Sequence, residues 1–204
     1  MKPSIVKGVI SSGLLLVLAA LCVAQQPLKK TELTIADREA WHKVLQWPAA
    51  LEEQWQKSRT DKKSEASGLA FYALGQGNYL VAIEVHESAY QPRYVFMYYS
   101  ESGRVKTWPG RLLKLKIYER DDDAAGTVSR KVTTEVEGIV SFDKAVKQLV
   151  LYTKGRGTLD CGALVRYRIL PNRIIPAEAR AHGCYNDYSL GETNPFRWKK
   201  ITRL

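Results

Sequence analysis

Residues that commonly carry out catalysis are scarce in this chain of 204 residues. It has three histidines, His42, His86 and His182, and three cysteines. No histidine stands in a His-Glu-x-x-His zinc motif, and the sequence has neither a Gly-x-Ser-x-Gly nucleophile elbow nor a phosphate-binding P-loop. These absences argue against the common zinc proteases, serine hydrolases and nucleotide hydrolases. We therefore expect no catalytic residues, no metal site and no cofactor, with an enzyme as the alternative.

One small group of polar residues keeps the enzymatic alternative open. Glu84 and His86 are two residues apart on a predicted strand, so both side chains would lie on one face. A carboxylate beside an imidazole can orient it for proton transfer. Because no nucleophile stands beside them, a solvent-facing pair is the preferred interpretation. The alternative function is a cell-envelope hydrolase or transferase that uses Glu84, His86 or Asp160.

Long apolar runs are also missing, apart from one at the N-terminus. Two lysines precede an uncharged run from Leu14 to Val23, and Cys22 and Ala24 provide small residues at the −3 and −1 positions of a cleavage site. Even the longer run from Val9 to Ala24 is shorter than the ~20 apolar residues that a spanning helix needs. We therefore predict a signal peptide over residues 1–24 and a periplasmic or secreted mature protein without a transmembrane segment. A lipid anchor at Cys22 is disfavoured, because a leucine precedes it where lipoprotein signals have Gly, Ala or Ser.

Cleavage after Ala24 leaves two cysteines, Cys161 and Cys184. An even number of cysteines in an oxidising compartment predicts a disulfide. Their spacing is not that of a Cys-x-x-Cys redox pair, and a zinc site needs more ligands than the nearby His182 supplies. If Asn172 and Arg173 form the two-residue loop of a hairpin, the cysteines face each other across it. A proline in the second strand, Pro176, predicts that this strand lies at a sheet edge or is bulged, and a bulge would shift the pairing.

Apolar periodicity predicts one mainly β domain of the α+β kind after the signal peptide. Residues 25–67 comprise a polar leader, two short helices and a linker; Asp37 is expected to cap the first helix, whose apolar face is Trp41, Val44 and Leu45. Residues 68–204 are expected to form antiparallel sheets, as a sandwich or open barrel. The predicted strands are Leu69–Leu74, Tyr79–Val85, Tyr94–Tyr99, Leu113–Ile117, Thr133–Phe142, Gln148–Thr153, Ala163–Leu170 and Ile174–Ala181. The acidic triplet that begins at Asp121 is expected to be a solvated turn, since adjacent carboxylates do not match a calcium loop.

Lysine and arginine outnumber aspartate and glutamate by 31 to 21. Such an excess attracts anionic partners. In a bacterial envelope these are lipopolysaccharide phosphates, peptidoglycan carboxylates or acidic proteins, whereas nucleic acid is not expected there. The other interpretation is an ordinary soluble surface over which the cations are scattered.

The most distinctive basic stretch is the loop Lys154-Gly155-Arg156-Gly157. Its glycines would let backbone N–H groups approach an anion, and its cations add charge. Arg166 and Arg168 are two apart on a predicted strand and project from the same face. The four cations are therefore the candidate anion-binding residues of a non-enzymatic binding module. The alternative is a glycine-rich corner before the disulfide, in which Asp160 bonds local backbone.

These residues belong to a longer pattern. Its C-terminal part comprises Lys154-Gly155-Arg156-Gly157, Asp160-Cys161-Gly162, Tyr167, Asn172-Arg173, Glu178-Ala179-Arg180 and Cys184. Its upstream part comprises Trp47-Pro48, Gly68-Leu69, Tyr79-Leu80-Val81 and Ala89-Tyr90-Gln91. The pattern resembles the secreted bacterial family of domains of unknown function that is numbered 1176. The resemblance implies an envelope location and a Cys161–Cys184 bridge, and it implies no catalytic residue. Family members often have cysteines where this chain has Ala50 and Val85, so a second disulfide suggested by the family is absent.

Overall fold

The computed structural model describes residues 28–59, 66–103, 107–120, 128–155, 161–184 and 193–202. This part of the chain is mainly β, with two antiparallel four-stranded sheets, a two-stranded ribbon and two helices. The predicted fold class is confirmed. The predicted signal peptide, the triplet at Asp121, Arg156 and Asp160 lie outside the described residues. Within them, no helix is long and apolar enough to cross a membrane.

The helices are α1 (Ile35–Leu45) and α2 (Ala49–Ser58). The strands are β1 (Leu69–Gly75), β2 (Asn78–His86), β3 (Arg93–Ser100), β4 (Leu115–Arg120), β5 (Val128–Thr133), β6 (Glu135–Glu137), β7 (Ile139–Asp143), β8 (Gln148–Lys154), β9 (Gly162–Leu170) and β10 (Arg173–His182). The first sheet has the order β1-β2-β3-β6, the second sheet has the order β10-β9-β8-β7, and β4 pairs with β5 in the ribbon.

Helix α1 begins at a capping box that differs from the prediction. Thr34 is the N-cap, and the Asp37 carboxylate accepts hydrogen bonds of 2.9 Å from the Thr34 backbone N–H and hydroxyl. These bonds lower the pKa of Asp37. Asp37 is therefore the third residue of the helix, and the prediction that it is the cap was wrong, because a Thr-x-x-Asp box places the hydroxyl residue first. Trp41 and Leu45 are buried as expected, whereas Val44 is exposed.

Alternation along β2 shows that the molecule has three layers. Leu80 and Ala82 pack into the core between the two sheets, together with Leu151 and Val165 of the second sheet. The intervening Val81 and Ile83 face the opposite way and pack with Trp41 of α1. The helices therefore cover the outer face of the first sheet.

A glycine corner divides what the sequence predicted as one strand, Thr133–Phe142. The corner is Gly138, with a φ of 149°, where a Cβ would lie 2.6 Å from the Tyr152 carbonyl oxygen. The chain passes there from β6 in the first sheet to β7 in the second. Strand β7 starts beside Pro92, whose carbonyl accepts from Gly138 N–H, and ends with Phe142 stacked on Tyr72 of β1, with ring centroids 4.9 Å apart. Because β7 crosses the first sheet from one edge to the other, the sheets pack crosswise.

The ribbon was the least accurately predicted part. Strand β4 begins at Leu115 rather than Leu113, and β5 was not predicted at all. Most of β5 is exposed, including Val132. An exposed strand with adjacent charges lacks the alternation from which strands are recognised.

The β9–β10 hairpin turns at Pro171 and Asn172, one residue before the predicted loop, because Leu170 pairs with Arg173. Proline fixes φ at the first central position and Asn172 accepts a positive φ of 57° at the second, which is the pattern of a type II turn. The prediction of an edge position or a bulge is confirmed, and both occur: β10 is an edge strand, and its register shifts between Pro176 and Glu178.

The predicted disulfide between Cys161 and Cys184 is present, with a Cα–Cα distance of 5.1 Å. It joins the residue before β9 to the chain two residues beyond β10. The shifted turn and the bulge replace the regular opposition expected from the sequence, yet they leave the two cysteines close enough to bond.

Candidate functional site

Charge is distributed unevenly between the two sides of the sandwich. The described residues of the segment 28–103, which contains the helices and β1–β3, include seven lysines and arginines and eight carboxylates. The described residues of the segment 139–202, which forms the second sheet and the C-terminal segment, include ten lysines and arginines and only two carboxylates, Asp143 and Glu178. Among the described residues, the excess of positive charge is therefore concentrated on the second sheet and the C-terminal segment.

Four arginines lie on the outer face of β9 and β10. Val165 and Tyr167 point into the core, so Arg166 and Arg168 project outward, as the sequence predicted. On β10, the inward neighbours Ile174 and Ala179 belong to the same core. Arg173 and Arg180 therefore also project outward. We call Arg166, Arg168, Arg173 and Arg180 the arginine face.

Both carboxylates of the second sheet are bonded to members of this face or to nearby groups. Asp143 lies 3.8 Å from Arg166, and it also accepts from two backbone N–H groups of its own turn. Glu178 accepts a 2.6 Å bond from Arg180 and lies 3.6 Å from Lys200. Burial opposes ionisation of Glu178, but the bond to Arg180 and the two cationic charges outweigh it and lower its pKa. Neither carboxylate is left to neutralise the other arginines.

Arg168 and Arg173 are exposed, and among the described residues neither has a carboxylate within ion-pair distance. Arg168 pairs across the hairpin with Ile175, so Arg173 is its diagonal neighbour. Diagonal neighbours lie about 7–8 Å apart. Two guanidinium groups on a hydrogen-bonded hairpin are thus presented side by side to solvent.

The structure does not bring Lys154 to this face. Lys154 pairs with Gly162 at one end of β8, whereas Gln148 pairs with Arg168 at the other end. Six residues of strand separate the two positions by ~20 Å. Arg156 lies outside the described residues. The predicted convergence of four cations thus reduces to Arg166 and Arg168, and the sequence analysis missed Arg173, because the misplaced turn put it in a loop.

Lys154 is instead joined to the segment before β3. The side chain of Gln91, which is 4% exposed, accepts from the Lys154 backbone N–H at 2.6 Å and donates to its carbonyl at 3.0 Å. The Lys154 ammonium lies 3.5 Å from the Tyr90 carbonyl oxygen. Strand β7 begins opposite Tyr152, so it does not reach Lys154. The Gln91 amide bonds the backbone of Lys154 instead, and it thereby joins β8 to the segment before β3.

Gly155 has a structural reason to be glycine. A Cβ there would collide with Cys184 Sγ and would lie 2.9 Å from Cys161 Sγ. The Gly155 N–H also donates to the Cys161 carbonyl oxygen at 3.0 Å. A tight corner beside the disulfide therefore explains why residue 155 is glycine, and no bound anion is needed to explain it.

Glu84 and His86 do not form the predicted polar pair among the described residues. A bulge separates them on β2, and no hydrogen bond joins their side chains. Glu84 lies beside Arg38, and burial raises the pKa of its carboxyl. His86 lines a shallow depression next to α2 and Arg93. Asp160, the third residue of the enzymatic alternative, lies outside the described residues.

On the helical side of the molecule, one arginine is buried inside the fold. Arg38 is fully buried, and its Nε donates to both Glu52 carboxylate oxygens at 2.9 and 3.0 Å. Its other nitrogens donate to the Ser67 carbonyl at 2.9 Å and to the Glu84 carbonyl at 3.0 Å. The guanidinium also lies 3.8 Å from the centre of the Trp55 ring. This arginine holds the helices to the first sheet and is not available to a ligand.

Comparison with known proteins gives no family and no relative. No family model matches the chain. No curated protein and no solved structure matches it either. The resemblance to the family numbered 1176 stays a prediction.

Proposed function

We propose that the protein is an exported, non-enzymatic binding module that attaches to a phosphate-bearing component of the bacterial envelope through the arginine face. The observation that carries the proposal is the exposed pair Arg168 and Arg173, which lack carboxylate partners in the described part of the chain. The signal-peptide pattern supports export. The Cys161–Cys184 disulfide is compatible with an oxidising compartment.

Arginine suits this role better than lysine would. Its planar guanidinium donates two parallel hydrogen bonds to a phosphate or carboxylate. Because Arg168 and Arg173 stand on paired strands, their backbones are fixed before a partner arrives, and less ordering is needed on binding. Each exposed contact contributes only about 0–1 kcal/mol, so attachment requires several such contacts and weakens as salt screens them.

The proposal is tested by cosedimentation of the mature protein with phosphatidylglycerol vesicles, with phosphatidylcholine vesicles as the neutral reference. The double variant Arg168→Gln/Arg173→Gln should bind the anionic vesicles about tenfold more weakly, which corresponds to the loss of two contacts. The matched control is Lys43→Gln/Lys57→Gln, which removes two exposed cations from the helices. Equal losses in the two double variants would show that net charge alone decides binding. Retention of full affinity by the arginine variant would also contradict the proposal.

The glycine-rich loop is tested in the same assay. Because Lys154 lies ~20 Å from Arg168 along β8, Lys154→Ala/Arg156→Ala should weaken vesicle binding much less than Arg168→Gln/Arg173→Gln, and a loss as large as in the arginine variant would show that the loop belongs to the binding surface. Strong destabilisation with normal binding of the folded protein would show that the loop is only a structural corner.

A further inference from the structure

A cleft of about 540 Å³ lies where three elements meet at the corner of the sandwich. Its walls are β6, the ribbon and the last residues of β8, and Gln91 and Arg93 also line it. A smaller cavity of about 270 Å³ continues from it toward the disulfide and shares Tyr118, Glu119, Thr153 and Lys154 with it. We call the two together the corner cleft. Its size falls within the range of small-molecule sites, about 300–1,000 Å³.

The corner cleft contains charges of both signs that do not neutralise one another. Arg93 and Glu135 form an ion pair at 3.1 Å. That pair leaves Lys131 and Lys154 as cations and Glu119 and Glu137 as carboxylates. Within the described residues, none of these four lies within ion-pair distance of an opposite charge. In the part of the chain that the structure describes, the Lys154 ammonium contacts the Tyr90 carbonyl oxygen at 3.5 Å and the Tyr90 ring, whose centre is 5.3 Å away.

The walls are held by bonds that do not involve these charges. The Gln91 amide bonds both backbone groups of Lys154. The Thr153 hydroxyl donates to the Glu137 carbonyl at 3.1 Å, which joins β8 to the end of β6. These bonds fix the position of β8, which carries Lys154, against β6. An ion of one sign would meet repulsion as well as attraction here, whereas a ligand with both signs can pair with each wall.

Tyr118 packs beneath the cleft and forms part of its floor. It lines both parts of the cleft and is 2% exposed, yet its hydroxyl has no hydrogen-bond partner among the described residues. An unpaired buried hydroxyl is unfavourable for folding. The hydroxyl is closed off from solvent and lies in the core beneath the cleft, so the cleft itself is described by its charged residues.

We propose that the corner cleft binds a small zwitterion of dipeptide size, with its carboxylate at Lys154 and its ammonium at Glu119. These two residues stand on different walls, β8 and the ribbon, at the point where the two cavities join. The site is separate from the arginine face, so it goes beyond the proposed function and does not depend on it.

The test uses dialanine with free termini and three capped forms: N-acetylated, C-amidated and doubly capped. Binding to the mature protein is measured by titration with NMR detection. Free dialanine should shift resonances of residues 117–119, 131–137 and 153–155, and each single cap should weaken binding about threefold, the effect of one lost contact with an exposed charge. Absence of dialanine binding, or equal binding of all four peptides, would overturn the proposal.

Two variants test which residue binds the carboxylate and which binds the ammonium of the dipeptide. Lys154→Met should remove the preference for a free carboxylate, and Glu119→Gln should remove the preference for a free ammonium. The matched controls are Lys57→Met and Glu53→Gln, which change an exposed ion pair on α2. The controls should keep both preferences. If they lose the preferences to the same extent as the cleft variants, or if the cleft variants keep them, the site is assigned wrongly. Because thermal unfolding of each variant is recorded in parallel, loss of fold is distinguished from loss of binding.

Discussion

On the helical side of the molecule, Arg38 is buried, bonded to Glu52 and to two backbone carbonyls, and stacked on a tryptophan. On the opposite side, Arg168 and Arg173 stand on the surface of the second sheet without carboxylate partners in the described chain. The same side chain therefore has two roles. A buried, fully bonded arginine fixes the packing of helices on a sheet, and its loss leaves an unpaired buried charge. An exposed arginine contributes little to stability and remains available to an external anion.

The largest expected effect on the free energy of unfolding comes from replacing the buried Arg38. Arg38→Met should destabilise the protein by about 3–5 kcal/mol, because Glu52 is left without its partner and two carbonyl groups lose their donor. Arg168→Met should change stability by less than about 0.5 kcal/mol. Urea unfolding of the two variants measures the difference. Similar losses of unfolding free energy in the two variants would contradict the difference between a structural Arg38 and a surface Arg168.

The second sheet depends on its disulfide rather than on a buried charge. Replacement of both Cys161 and Cys184 by Ser should cost about 2–5 kcal/mol, since the cross-link limits the unfolded chain. The same urea unfolding assay measures this loss. As a separate check of the bond, thiol titration of the unfolded, unreduced mature protein should find no free thiol. Two reactive thiols would show that the bridge is not formed.

Two buried tyrosines, Tyr118 and Tyr167, differ in the hydrogen bonding of their hydroxyl groups in the core between the two sheets. The Tyr167 hydroxyl donates to the Lys116 carbonyl at 2.9 Å, whereas the Tyr118 hydroxyl has no partner among the described residues. Tyr167→Phe should therefore cost about 1 kcal/mol, and Tyr118→Phe should be neutral or stabilising. Thermal or urea unfolding separates the two. A clear loss for Tyr118→Phe would mean that its hydroxyl is hydrogen-bonded in the folded protein.

The smallest expected effect is a dependence of stability on pH, with opposite signs at two glutamates of the helical side. Burial alone would raise the pKa of Glu52, but its bonds to Arg38 outweigh burial and lower it. Its contribution is therefore present above the unfolded pKa and is lost as pH falls through the folded pKa. Burial, with a smaller effect from Glu87, raises the pKa of Glu84. Its contribution is present below the unfolded pKa and is lost as pH rises through the folded pKa.

Glu84→Gln should consequently stabilise the protein more at pH 7 than at pH 4, as measured by urea unfolding at both values. Glu53→Gln, a substitution on the exposed face of α2, is the control for the loss of one carboxylate charge. A gain for Glu84→Gln that is equal at the two pH values would contradict the raised pKa.

The sequence predicts best those elements whose local pattern and tertiary environment agree. The turn after β1 was predicted correctly because its glycines mark it in the sequence. The alternation along β9 was predicted correctly because its apolar residues are the ones that the core buries. Gly138 could not be recognised as a corner, since its role depends on the Tyr152 carbonyl, which lies far along the chain. The shift of the β9–β10 turn to Pro171 moved Arg173 onto the strand and enlarged the candidate site in a way that composition alone could not indicate.

The contrast between the two sides is tested most directly by mapping which arginines an anionic surface protects. The mature protein is treated with phenylglyoxal with and without phosphatidylglycerol vesicles, and modified arginines are identified by mass spectrometry. Arg111 is the internal reference, because it is exposed and follows Gly110, which is bonded to the end of α1. The vesicles should protect Arg168 and Arg173 while Arg111 stays reactive. Equal protection of all three, or protection of Arg111 alone, would contradict binding through the arginine face.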